Sequence, residues 1–255
     1  MGRTVHYSDC LQPLEGYLAA PPSAIGLPGV VIVPSWLNIT ESIRHRAERL
    51  AHLGYAAFVA DVFGAKVLPA PPQSPLEVIK PFLENRQFFR QRLLAGLEAF
   101  CREPECSPTN VAAIGYCLGG CGVLDLARSG TNLRGVVSLH GILDSPLRVK
   151  LGTLKSKILV LHGDEDPVAS IDAIMRFREE MRQIGANWEI NIYSDARHGF
   201  TGEGVVGGNT PGAGFHPQSE ARSWAATVAF LHEVLKGPVR ASTNLNLETR
   251  MEDTR

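Results

Sequence analysis

The stretch Val111–Gly122, VAAIGYCLGGCG, restricts the possible folds of this chain more than any other. Its apolar run from Val111 to Tyr116 reads as a buried strand, and the helix-prone Val123-Leu124-Asp125-Leu126-Ala127-Arg128 follows within a few residues. Gly115 and Gly119 stand two before and two after Cys117, so the strand can reverse into a helix without a Cβ clash. Such a turn lifts Cys117 above the sheet edge at a helix N-terminus, where backbone N–H groups favour negative charge. The plainer alternative is a cysteine that merely fills a tight turn as a small hydrophobe.

From Val30 onward apolar strands alternate with helical segments. Strands are expected at Val30–Val33, Tyr55–Ala60, Val111–Gly115, Gly135–Leu139, Lys157–Leu161 and Trp188–Tyr193. Thr40–Leu53 reads as a helix with Ile43, Ala47, Leu50 and Leu53 on one face, Thr40 as N-cap and Gly54 as its stop. Further helices fit about Phe82 to Cys101, 118–129, 170–184 and 219–236, the last burying Trp224, Val228 and Leu231. The Pro-rich Val62–Pro81 is expected to wrap the surface. Strands apolar on both faces mean a mostly parallel, twisted sheet covered by helices on both sides, an α/β fold whose site lies at the carboxyl ends of the strands. Residues 1–29 read as an edge hairpin, 1–236 as one domain, and 237–255, poor in apolar residues, as a loosely ordered extension.

A net charge of −1 over 255 residues, with no basic stripe, argues against nucleic acid as partner. The five cysteines, at 10, 101, 106, 117 and 121, are an odd number, and MGRTVHYSDC lacks a secretory pattern. His6 also departs from the N-myristoylation pattern. No apolar run is long enough to span a membrane. The simplest setting is a reducing cytoplasm, with a monomer or homodimer acting on a small molecule.

A cysteine nucleophile needs a base, and the base needs an orienting acid. Strand Lys157–Leu161 runs into His162-Gly163-Asp164-Glu165-Asp166-Pro167-Val168, and strand Trp188–Tyr193 runs into Ser194-Asp195-Ala196-Arg197-His198-Gly199-Phe200. This is the order of α/β-hydrolases, with nucleophile, acid and histidine each just past a strand end. Cys117 reads as nucleophile, His198 as base and Asp166 as anchor of the imidazole, with Asp164 and Glu165 as alternative acids. An oxyanion hole would join the Leu118 N–H to one from the loop Pro34-Ser35-Trp36-Leu37; spacing leaves Trp36 and Leu37 both open.

GYCLGG, HGDEDPV and ARHGF, in this order and at these separations, resemble the dienelactone hydrolase family of cysteine α/β-hydrolases. The resemblance runs from about Val30 to Leu235. It implies hydrolysis of an ester or lactone through an acyl-cysteine without a cofactor, and it carries the triad onto Cys117, Asp166 and His198. Two departures stand out. Well-studied members carry a glutamate in the loop after the first parallel strand, where this chain has Ser35-Trp36 and no acid before Glu41. They also bind the substrate carboxylate with arginines, one shortly after the histidine, whereas Phe200–Phe215 holds no Arg or Lys. The class of chemistry carries over; dienelactone itself as substrate does not.

Ser35, Phe63, His140 and Phe200 fall at strand ends or loops of the same rim and are substrate-pocket candidates; for His140 and His162 a structural, hydrogen-bonded role is the alternative. Arg86 and Arg90 share a helix face and either meet an anionic substrate or, as helix-surface arginines ordinarily do, stay solvated. Cys121, one turn past Cys117, is a resolving thiol or a buried small residue. Cys101 and Cys106 lack the further ligands a zinc site needs, so no metal is implied. Gly202–Gly207 spells G-x-G-x-x-G but opens no helix, so a loop bordering the site, a lid, replaces the dinucleotide reading. Two rival functions remain: an acyltransferase on the same fold, and a redox-responsive protein using Cys117 and Cys121.

Overall fold

The computed structural model describes residues 2–67, 69, 74–205 and 212–237. The expected C-terminal extension, the tip of the Gly-rich loop and part of the Pro-rich stretch lie outside the described residues.

An eight-stranded sheet runs through the molecule. In chain order its strands are β1 (Gly2–Ser8), β2 (Pro13–Ala19), β3 (Leu27–Val33), β4 (Ala56–Val59), β5 (Cys106–Tyr116), β6 (Gly135–Leu139), β7 (Lys157–Gly163) and β8 (Trp188–Tyr193). Across the sheet the order is β1-β2-β4-β3-β5-β6-β7-β8. The β1–β2 hairpin is antiparallel and joins β4 antiparallel, while β4 through β8 are mutually parallel. The expected edge hairpin and the parallel sheet are both there.

Alternation along the strands supplies both cores. Val31, Val33, Ala113, Val136 and Val160 point to one face; Val30, Ile32, Ala112, Ile114, Val137 and Leu159 point to the other. The first face is covered by α2 (Pro75–Glu84), α3 (Arg86–Cys101), α4 (Leu118–Arg128) and α5 (Ile171–Gln183), through Phe82, Phe89, Leu93, Val123 and Phe177. The second is covered by α1 (Glu41–His52) and α6 (Pro217–Lys236), through Ile43, Ala47, Leu50, Phe230 and Leu231. Thr40 caps α1 by accepting from the Ile43 N–H, and Gly54 (φ 84°) provides the left-handed residue past its end.

Two expectations need correction. The helix from Phe82 to Cys101 is two helices, because Asn85 leaves the helical region (φ −120°, ψ 76°) and its side chain caps the Phe88 N–H. The first of them begins at Pro75, with Glu77 Oε2 accepting from the Ser74 N–H, a capping pattern present in Ser74-Pro75-Leu76-Glu77. In α6 the buried stripe runs through Ser219, Ser223, Thr227, Phe230 and Leu231, while Trp224 and Val228 are only half-buried. Ser223 and Thr227 can sit inside because their hydroxyls donate to the carbonyls of Glu220 and Ser223.

Candidate active site

Val33, Gly115 and Tyr116 lie in register at the carboxyl ends of β3 and β5, and Leu139 and Leu161 continue that line across β6 and β7. Cys117 follows β5 directly, with φ 55° and ψ −113°. A non-glycine residue held there costs about 1–3 kcal/mol. The turn is fixed by a hydrogen bond from the Cys117 N–H to the Leu139 carbonyl (3.0 Å) and by close packing of the flanking glycines. A Cβ on Gly115 would lie 2.0 Å from the Gly119 carbonyl oxygen, and one on Gly119 would lie 2.1 Å from that of Val33.

The loops after β7 and β8 bring Asp166 and His198 to this turn. His198 Nδ1 meets Asp166 Oδ2 at 3.0 Å, and its Nε2 meets Cys117 Sγ at 3.1 Å. A carboxylate only accepts, so Nδ1 carries the proton and Nε2 faces the sulfur. Asp166 has no exposed side-chain surface, and its other oxygen accepts from the Val168 N–H (2.8 Å). The two alternative acids are elsewhere: Glu165 pairs with Arg197 at 3.1 Å, and Asp164 is exposed. Burial works against a charged His198 ring, yet the Cys117 sulfur and the ring's hydrogen bonds to Asp166 and Cys117 raise its pKa to about 10.

Of the two amides left open by spacing, the Leu37 N–H points to Ser35 Oγ (3.4 Å). The N–H groups of Trp36 and Leu118 both lack a protein acceptor among the described residues. The Trp36 side chain turns away and donates through Nε1 to the Gly204 carbonyl at 2.8 Å.

The pocket candidates divide. Ser35 is buried beneath Gly204, and Phe63 packs edge-on against Phe82. Phe200 and His140 lie in the interior behind His198. The His140 ring stands perpendicular to that of His198 at 5.3 Å, and its Nε2 meets Thr201 Oγ1 at 2.8 Å. Burial, with the neighbouring His198 charge, holds His140 well below its usual pKa, and burial lowers His162 as well. Both shifts disfavour the charged ring, and of the two only His140 hydrogen-bonds to another side chain among the described residues, that of Thr201.

These shifts act on stability with opposite signs. A histidine whose folded pKa is depressed loses stability as pH falls below about 6.5, at up to ~1.4 kcal/mol per pH unit. His198, whose pKa is raised, contributes fully below about 6.5 and loses its contribution as pH rises towards 10. We expect stability to peak near pH 6.5, and urea titrations across pH 5–10 will test this. His140→Asn, an exchange that tolerates the positive φ of 39°, should flatten the acid limb only. An unchanged acid limb in that variant would remove His140 from the account.

Sequence reasoning missed a buried network that fixes the His198 loop. Arg46 Nε binds Glu203 at 2.9 Å, its Nη2 donates to the Thr201 carbonyl at 2.7 Å, and Ser42 Oγ donates to Glu203 at 2.6 Å. The first part of the expected lid, residues 201–205, is thereby anchored on α1. Arg86, expected to be solvated or substrate-facing, is buried and bound to Asp125 at 2.6 Å. Cys121 is also buried, which pushes its thiol up to about 12 and suits the small-residue reading over a resolving thiol.

Known proteins show the same organisation. The sequence profile of the dienelactone hydrolase family matches residues 14–235. An uncharacterized protein of Caenorhabditis elegans is 35% identical over 146 residues, 56% of this chain and 92% of that protein. The solved structure of m3DLH is 33% identical with a TM-score of 0.87, covering 92% of this chain and 98% of that one. That of a dienelactone hydrolase-like promiscuous phosphotriesterase from metagenomic libraries is 31% identical with a TM-score of 0.85 and the same coverage. With the profile spanning most of the chain and the sheet built as described, this protein is an α/β-hydrolase belonging to the dienelactone hydrolase family.

Proposed function

We propose that this protein hydrolyses carboxylic esters or lactones through an acyl-cysteine on Cys117. The observation that carries the reading is the position of His198, 3.0 Å from Asp166 on one ring nitrogen and 3.1 Å from Cys117 on the other. In the first step the Cys117 thiolate attacks the carbonyl carbon and forms the C–S bond. The Trp36 and Leu118 amides hold the oxyanion, and the His198 imidazolium passes its proton to the alkoxide as the C–O bond breaks. Neutral His198 then takes a proton from water, the hydroxide attacks the thioester, and the acid leaves as the thiolate–imidazolium pair is restored. Asp166 keeps the imidazole in the required tautomer throughout.

Esters and lactones suit this pair because an alkoxide needs less help from a proton than an amine does. The 31% identical neighbour is named a promiscuous phosphotriesterase, so an activated phosphotriester belongs in the same substrate panel. The decisive measurement is intact-protein mass spectrometry within seconds of adding p-nitrophenyl acetate. A transient gain of one acetyl group on Cys117, decaying as acid is released, is the expected result. Release without any adduct would overturn the covalent route, and acyl transfer to an added alcohol in preference to water would make the protein a transferase.

A further inference from the structure

Resting on that hydrolytic reading, a further role belongs to Arg46, whose buried guanidinium hydrogen-bonds to none of Cys117, Asp166 and His198. It stands where α1, α6, the end of β5 and the His198 loop meet. From α1 it reaches that loop at two points, donating through Nε to Glu203 Oε1 at 2.9 Å and through Nη2 to the Thr201 carbonyl at 2.7 Å. Its Nη1 donates to Glu220, in the first turn of α6, at 3.3 Å. The guanidinium carbon lies 5.1 Å from the ring centre of Tyr116, the residue before Cys117. One planar group thus joins the strand that carries the nucleophile to the loop that carries the base.

The sequence of that loop makes such an anchor matter. Gly199 and Gly202 hold positive φ, 69° and 87°, on either side of Phe200-Thr201, and glycine regains the most freedom when its contacts are released. Thr201 is gripped from two sides, its carbonyl by Arg46 and its hydroxyl by His140 Nε2 at 2.8 Å. Glu203 is buried, and the Oε1 that receives Arg46 Nε also accepts from Ser42 Oγ at 2.6 Å. The next residue, Gly204, accepts from the Trp36 indole, so the loop after β3 rests on the same anchor.

A lysine at this position would keep the charge and lose the fork. Its donors diverge from one nitrogen, whereas Glu203, Thr201 and Glu220 are reached here by three different nitrogens held in one plane.

We propose that Arg46 is a positioning residue for ester hydrolysis: by fixing Thr201 and Glu203 its guanidinium holds His198 at bonding distance from Cys117, and it acts through this geometry rather than through its charge. Misplacing a reacting group by about 1 Å can cost about 10²-fold in rate.

Steady-state hydrolysis of p-nitrophenyl acetate tests this, each variant being assayed at a temperature where circular dichroism shows it folded. Arg46→Lys should lower kcat by about 10–100-fold with KM within about threefold of the wild type. In the same variant the His198 ring, followed by NMR, should titrate below its wild-type value of about 10, because it has moved away from the Cys117 sulfur. A loss of stability alone moves neither readout in the folded protein. Glu203→Gln keeps an acceptor for Arg46 and Ser42 and should retain kcat within about threefold, whereas Glu203→Ala should lose as much as Arg46→Lys. Arg49→Gln is the control: one turn further along α1, its exposed side chain reaches Glu220 but not the His198 loop, and kcat should not change.

The inference is overturned by wild-type kcat in Arg46→Lys, or by a reduced kcat beside an unmoved His198 titration. Equal losses in the two Glu203 variants, or a comparable loss in Arg49→Gln, overturn it as well. Should Arg46→Lys not fold, the two Glu203 variants decide. If wild-type Cys117 acquires no acyl group, the hydrolytic reading falls and takes the inference with it.

Discussion

Cys117→Ala should reduce ester turnover by at least about 10⁴-fold while leaving the fold intact, because on the proposed route it deletes the attacking atom and nothing the core needs. The companion variant Cys117→Ser reports on the electrostatics. In the wild type His198 is raised to about 10, with the Cys117 sulfur as the largest favourable contribution against burial. A serine hydroxyl stays neutral across this range, so the imidazolium should release its proton at a lower pH. The Asp166 hydrogen bond, which survives the exchange, is then left to oppose the effect of burial. NMR titration of the His198 ring in both proteins gives the shift directly. A ring that still titrates near 10 in Cys117→Ser would mean that a sulfur anion is not its partner.

The second large effect is on stability. Asp125 lies inside the α3–α4 interface with 2% of its side chain exposed, bound by Arg86 Nε at 2.6 Å and Ser145 Oγ at 2.8 Å. Asp125→Ala strands the Arg86 guanidinium in a site that water does not reach. Breaking such a pair from one side costs about 3–5 kcal/mol, a large part of the roughly 5–15 kcal/mol that holds a typical domain together. At roughly 2–4 °C per kcal/mol for a chain of this size, the melting temperature should fall by about 10 °C. Replacing both partners, Arg86→Met with Asp125→Leu, should restore part of the loss, because Arg86 then needs no partner while the buried Arg128, 3.7 Å from Asp125, keeps only Glu180 as an ion pair among the described residues. Urea titration of the two single variants and the double variant completes the cycle. A loss under about 1 kcal/mol in Asp125→Ala would show that Arg86 finds another partner or water.

The parallel sheet could be read from sequence because each central strand is apolar on both faces while the intervening helices follow a 3.6-residue rhythm. The candidate triad was legible for a related reason. Cys117, Asp166 and His198 each follow a strand end, and parallel strands deliver all their carboxyl ends to one rim. The buried ion pairs had no such local signature. Arg46 meets Glu203 across 157 residues of chain and Arg86 meets Asp125 across 39, so each arginine looks in sequence like an ordinary helix-surface residue. The start of α2 was hidden differently: Pro75 and Pro81 both read as breakers, although a proline in the first turn has no N–H bond to lose. That the Leu37 N–H is engaged by Ser35 Oγ was likewise not legible, since both candidate amides lie within one residue of the same turn.

The hydrogen bond from the Trp36 indole to the Gly204 carbonyl has a consequence for how this molecule can be altered. In the sheet β3 and β8 are separated by three strands, yet the loops that follow them are tied directly to each other. The segment bearing the Trp36 amide and the segment bearing His198 therefore form a single mechanical part assembled from two distant pieces of chain. Displacement of either is transmitted to the other without passing through the sheet. A recognition loop taken from a relative cannot be grafted here alone: residues 34–38 and 198–204 have to be exchanged together, as one cassette.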